Sequence, residues 1–174
     1  MYWQWKGVLK QNIAISALTA HFDLYPTLTE LAGATLPKSM QQLDGRTLLP
    51  LLNSPDALWD DRKLFIHTGR WNAGEMNAAK YGKYAVRTQR WRFVNNNELY
   101  DINADPGETE NLASKYPTVV NKLRNAYEKW WEETVPLMIN EGLPRLNKAD
   151  LPLVIRYKKQ LKESGIPRWN PNEI

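Results

Sequence analysis

His67 and Arg70 flank Thr68-Gly69 at the end of the apolar run Leu64-Phe65-Ile66, and they are the residues best suited to gripping a ligand. An Arg guanidinium forks two donors onto a sulfate or carboxylate, and an imidazole donates to a hydroxyl or a bridging oxygen. On a loop that follows a strand the pair would face outward, where binding residues concentrate. A plainer reading stays open beside this one: a strand-end His satisfied by the backbone and a solvated Arg. His21 has no catalytic companion and reads as structural. Asp60-Asp61 reads as a solvated turn, because surface carboxylates are the default. The chain has eight Trp, several beside Arg, which suits a sugar-facing surface, but each is read as packing because large aromatics mostly pack.

Composition removes several classes of chemistry. There is no Cys, which excludes disulfides, thiol catalysis and thiolate zinc sites. A net charge of +4 with a pI near 9.2 is mildly basic and diffuse, whereas nucleic-acid binders cluster Lys and Arg on one face. The closest approach to such a cluster, Arg156-Tyr157-Lys158-Lys159 through Lys162, reads as a solvated helical face. No apolar stretch approaches the length of a membrane span. Met1-Tyr2-Trp3-Gln4-Trp5-Lys6 lacks the features of a signal peptide, so none is expected, and the compartment is left unknown.

These side chains need elements to position them. Tyr2 to Leu9 alternates aromatic and polar residues and predicts a strand, weakened by Gly7. Phe22, Leu24, Leu28 and Leu31 fall near helical spacing, with Asp23 as N-cap, Pro26 in the first turn and Gly33 as the stop. Thr47 to Leu52 predicts a short apolar turn, Lys63 to His67 a short strand, and Asn72 to Gly82 a loop. Tyr84–Thr88, Trp91–Val94 and Glu98–Ile102 predict an antiparallel meander, with Asn95-Asn96-Asn97 in a tight turn that needs positive φ. Tyr100 and Ile102 are expected to be the buried residues of the last strand. Asp105-Pro106-Gly107 ends it, and Glu108 and Glu110 would face the N–H groups of a following helical turn.

Thr118 to Val135 predicts a long amphipathic helix, limited by Pro136. Its stripe is Val119, Val120, Leu123, Ala126, Tyr127, Trp130 and Trp131, wide enough to cover one face of the sheet. Lys148 to Glu163 predicts a second helix, after which Trp169, with Pro167 and Pro171, would pin the tail. The class is α+β: a small antiparallel sheet of three to four strands packed by a long amphipathic helix and preceded by a strand-helix segment.

Several motifs resemble those of the sulfatases, in the family's order. They are Ala20 to Leu28 with Leu31-Ala32-Gly33; Leu43-Asp44-Gly45-Arg46-Thr47-Leu48 with Leu51-Leu52; His67-Thr68-Gly69-Arg70-Trp71 with Ala85 to Thr88 and Trp91 to Val94; and Glu98 to Leu112 with the Trp130-Trp131 helix. The resemblance is to the C-terminal part of an arylsulfatase-like enzyme of the alkaline phosphatase superfamily. It implies that residues 1–55 are the end of the large domain and 56–174 the C-terminal subdomain, with His67 and Arg70 in the substrate pocket.

For the complete enzyme the resemblance implies a formylglycine nucleophile, calcium, a sulfated small molecule or glycan as substrate, and a periplasmic or secreted location. The family's Cys/Ser-x-Pro-x-Arg motif and its Asp-Asn pair do not occur here. The chain is therefore expected to carry no catalytic residue and no metal ligand, to be inactive by itself, and to self-associate through exposed apolar surface. The alternative reading is a stand-alone module that binds polyanionic glycans without catalysis.

Overall fold

The computed structural model describes residues 2–35, 43–69, 71–72, 74–138 and 147–165, and the chain divides into two compact units, Met1–Leu137 and Met138–Ile174. In the first unit β1 (Leu64–His67), β2 (Tyr84–Arg87), β3 (Trp91–Val94) and β4 (Glu98–Asp101) form one antiparallel sheet in chain order. Phe65, Val86, Phe93 and Leu99 are register partners from strand to strand and so make one row on a single face. Three of them, Val86, Phe93 and Leu99, are fully buried. The β3–β4 turn is built as its Asn residues predict: Asn95 and Asn96 take φ of +46° and +68°, the sign a type I′ hairpin needs at both central positions.

Helix α4 (Pro117–Met138) covers that face with Val120, Leu123, Tyr127 and Trp131 buried, four of the seven stripe residues. Tyr127 stacks on Tyr84 with ring centroids 3.8 Å apart, and Trp130 stacks on Phe65 at 5.2 Å. Burying each large side chain of this kind stabilises the fold by about 1.5–3 kcal/mol. Arg124 binds the helix to the β3–β4 turn, donating from Nε to the Asn96 side chain at 2.7 Å. The helix runs two residues past Pro136 rather than stopping before it. A proline in the last turn removes only one i→i−4 bond.

Ahead of the sheet lie a 3-10 turn (His21–Asp23), α1 (Leu24–Leu31) and α2 (Leu49–Asn53). Gly33 ends α1 with φ +61°, as expected of a C′ glycine. The predicted strand at Tyr2–Leu9 does not form. Gly7 takes φ +79° and the N–H groups of Val8 and Leu9 both donate to the Trp5 carbonyl, which folds the segment into a turn. Residues 72–82, expected as a loop, contain α3 (Met76–Ala79).

The burial phase of β4 is the reverse of the expectation: Leu99 and Asp101 are buried, and Tyr100 lies on the half-exposed face. Asp101 is tolerated there because Arg90 Nε donates to it at 2.8 Å and the N–H groups of Asn103 and Ala104 donate to its other oxygen. No helical turn follows Gly107. Asp105 instead accepts from the N–H groups of Thr109 and Glu110, while Glu108 pairs with Arg92.

In the second unit the predicted helix divides into a 3-10 turn (Lys148–Asp150) and α5 (Pro152–Glu163). Leu151 between them is extended at ψ 131°, the conformation that a following Pro favours. Arg70 and the Pro167, Trp169 and Pro171 tail lie outside the described residues.

Candidate functional site

His67 ends β1, an edge strand of the sheet, and its ring is fully engaged within the chain. Nδ1 accepts from the Gly69 N–H at 2.9 Å, and Nε2 lies 3.0 Å from the Ala79 carbonyl. A carbonyl only accepts, so the network assigns the neutral tautomer with its proton on Nε2. The ring also meets Trp131 at 5.1 Å and Trp71 at 5.9 Å between centroids. In this arrangement the imidazole joins the loop after β1 to the end of α3 and fixes Trp71 against the body. Contact with a ligand through either ring nitrogen would require breaking one of these hydrogen bonds.

The loop so held borders an open cavity of about 440 Å³ lined by Trp71, Asn72, Glu75, Ala78 and Ala79. Asn72 Nδ2 donates to the Glu75 carboxylate at 2.8 Å. Sequence reasoning placed Trp71 in one motif with His67 and Arg70, and gave no role to Asn72 or Glu75, because the segment read as a loop. At the C-terminal end of α3, Lys80 and Tyr81 both bind Glu128 of α4, and the Tyr127 hydroxyl donates to the Lys80 carbonyl. Burial pushes the Tyr127 phenol well above its ordinary pKa, and pushes Tyr84 up to about 12, so both stay neutral donors.

A second polar cluster underlies the segment before the sheet. Asp23 is fully buried and does not cap α1; its carboxylate accepts from the Ala20 N–H at 2.7 Å, the Arg46 N–H at 3.1 Å and both terminal nitrogens of Arg62. Burial pushes the carboxyl up, but the Arg62 guanidinium and those backbone donors outweigh it and hold the pKa below the usual carboxylate value. Gly45 makes this approach possible: a Cβ there would lie 2.2 Å from the Phe22 carbonyl oxygen. Arg46 lies over the Trp59 ring at 4.0 Å and donates to the Asp60 carbonyl at 2.6 Å. The Nε atoms of Arg46 and Arg62 are buried with no partner among the described residues.

Of the remaining sequence candidates, Asp60 borders the second cluster through its carbonyl. Asp60 and Asp61 are exposed, with Asp61 accepting from the Gln89 N–H at 2.7 Å. His21 is exposed and meets Phe22 edge-on. Among the described residues no three His, Cys, Asp or Glu side chains come together to hold a metal ion. No helix among them is long and apolar enough to cross a membrane.

Comparison with known proteins sets this geometry in context. A family model described as "N-sulphoglucosamine sulphohydrolase, C-terminal" matches residues 1–133. Arylsulfatase K of Canis lupus familiaris is 32% identical over 124 residues, which is 66% of this chain and 22% of that protein. An ulvan-active sulfatase of Formosa agariphila is 25% identical over 162 residues, 73% of this chain and 31% of that protein. A solved 2-O GAG sulfatase shows 27% identity and a TM-score of 0.44, covering 64% of this chain and 24% of that one. The chain thus spans about a fifth to a third of the length of these curated relatives.

Proposed function

Because the chain belongs to the family of sulfatase C-terminal domains named for N-sulphoglucosamine sulphohydrolase, we propose that it covers the substrate cleft of an arylsulfatase-type enzyme that hydrolyses sulfuric esters. The observation that carries this reading is the family match over residues 1–133, which takes in the segment before the sheet, the whole sheet and the cavity beside Trp71. We assign residues 1–55 to the end of the large domain and 56–174 to the C-terminal subdomain. In that enzyme His67 and Arg70 stand in the substrate wall: Arg70 offers the fork for an anionic oxygen, and His67 sets the loop that carries it.

The family implies formylglycine and calcium for the complete enzyme, and the donors in this chain suit neither. There is no Cys and no Ser-x-Pro-x-Arg, and the described residues bring no cation cradle together. We therefore place the nucleophile and the ion outside this chain. What this chain supplies is a wall that orients the ester and excludes water from one side of the cleft. Tyr25, Leu28 and Leu31, exposed on α1, form the apolar surface that would meet the rest of the enzyme. A periplasmic or secreted setting follows from the same resemblance.

The test is sulfate release. A longer protein carrying this chain as its C-terminal part should liberate sulfate from aryl or sugar sulfates, and the chain alone should not. No release by the longer protein from any sulfate ester would reject the reading.

A further inference from the structure

The open cavity beside Trp71 brings one indole, one amide and one carboxylate together in its lining. Its volume, about 440 Å³, falls in the range of about 300–1,000 Å³ typical of small-molecule sites. Its aromatic member is held in place: the Trp71 indole meets His67 at an interplanar angle of 67° and Trp131 at 62°. His67 is locked in turn by its bonds to Gly69 and Ala79. Glu75 also lines the cavity, and its carboxylate accepts from Asn72 Nδ2. One amide donor occupies one of the roughly four acceptor sites of a carboxylate, so acceptor capacity remains. The small side chains of Ala78 and Ala79 complete the lining. Among the described lining residues Glu75 carries the charge, and the nearby cation Lys80 is paired with Glu128.

An indole beside a carboxylate attracts an ammonium through both the ring face and the anion, and accepts hydroxyl donors along with it. The same carboxylate repels a sulfate. We propose that Trp71, Asn72 and Glu75 form a subsite for an unsulfated pyranose ring, bound most tightly when it carries a free ammonium. This rests on the reading of the chain as a wall of a sulfatase cleft and adds a selectivity to it: the sulfated ring lies elsewhere, and this pocket reads the bare amino sugar beside it.

The experiment uses the 174-residue chain and the indole N–H resonances in NMR, with the Trp71 signal identified by its loss in Trp71→Phe. Methyl glucosaminide, methyl N-acetylglucosaminide and glucosamine 6-sulfate are titrated separately. The expected result is a shift of the Trp71 signal, with methyl glucosaminide binding about tenfold more tightly than either methyl N-acetylglucosaminide, which lacks the ammonium, or glucosamine 6-sulfate, which adds a sulfate. Glu75→Gln should remove most of the preference for the amine while leaving the other indole signals in place, which shows that the fold is intact. A Trp71 signal that does not move with any sugar, equal or tighter binding of the sulfated ring, or an amine preference that survives Glu75→Gln would overturn the proposal. None of these outcomes bears on sulfate release by the longer protein, so the two readings fail separately.

Discussion

Arg62 closes a two-pronged ion pair on Asp23, with Nη1 donating to Oδ1 at 2.8 Å and Nη2 to Oδ2, across 39 residues of chain. The carboxylate is fully buried, and the Arg side chain is only 13% exposed. The pair joins the start of α1 to the approach to β1, so the segment before the sheet and the sheet itself share one buried polar link. Removing one partner of such a pair leaves the other charged and stranded, which costs about 3–5 kcal/mol. Arg62→Ala and Asp23→Ala should each lower stability by that order in chemical denaturation. A loss under about 1 kcal/mol for both would mean that the link contributes little.

Acid should release the same link. The folded-state pKa of Asp23 is depressed, so its contribution is present at neutral pH and is lost as the pH falls through the carboxylate range, below about 4. Asp101, Asp105 and Glu128 are depressed as well, each against the upward push of burial, and add to the same slope. Stability measured from pH 6 to pH 3 should therefore fall less steeply in Asp23→Asn than in the parent chain. Parallel curves would assign the acid sensitivity to the other carboxylates.

Gly45→Ala tests the close approach on which the Asp23 cluster depends. The added carbon would meet the backbone of Phe22, which has no flexible end to swing away. A loss of about 1–3 kcal/mol is expected, typical of overpacking. An unchanged melting temperature would show that the segment around Phe22 yields easily.

Tyr127 joins the helix to the sheet in two ways, by stacking on Tyr84 and by its hydroxyl on the Lys80 carbonyl. Tyr127→Phe removes only the second and should cost about 0.5–1.5 kcal/mol, whereas Tyr127→Ala should cost about 3–5 kcal/mol. Equal losses for the two variants would assign the whole effect to the hydroxyl.

The exposed side chains of α1 predict association. Tyr25, Leu28 and Leu31 are 47%, 53% and 36% exposed. Replacing Leu28 and Leu31 together by Lys should reduce self-association in sedimentation velocity. Exposed substitutions of this kind leave stability within about 0.5 kcal/mol each. A parent chain that sediments as a monomer at high concentration would remove the basis for this surface.

Much of the fold follows from near neighbours in the chain. The α4 stripe, the three strands of the meander, the Asn95-Asn96 turn and the Gly33 stop each rest on residues only a few positions apart, and the helical period, the pleat and positive φ act at that range. The ends and phases of elements were less legible. In β4 the inward residues are Leu99 and Asp101, because Arg90 and two backbone donors neutralise the buried acid, and alternation alone does not reveal that compensation. At Tyr2–Leu9 the alternation is present, but Gly7 turns the chain.

The sequence by itself determined the α+β class, the family resemblance and the lack of a Cys nucleophile, because these are properties of composition, local period and motif order. Only the tertiary structure decided that Asp23 is a buried ion-pair acceptor rather than a helix cap, that both ring nitrogens of His67 are engaged by the backbone, and that Glu75 faces a cavity with Trp71. These facts depend on which distant groups meet once the chain closes. A carboxylate or imidazole then takes the partners nearest in space, which its neighbours in sequence do not specify.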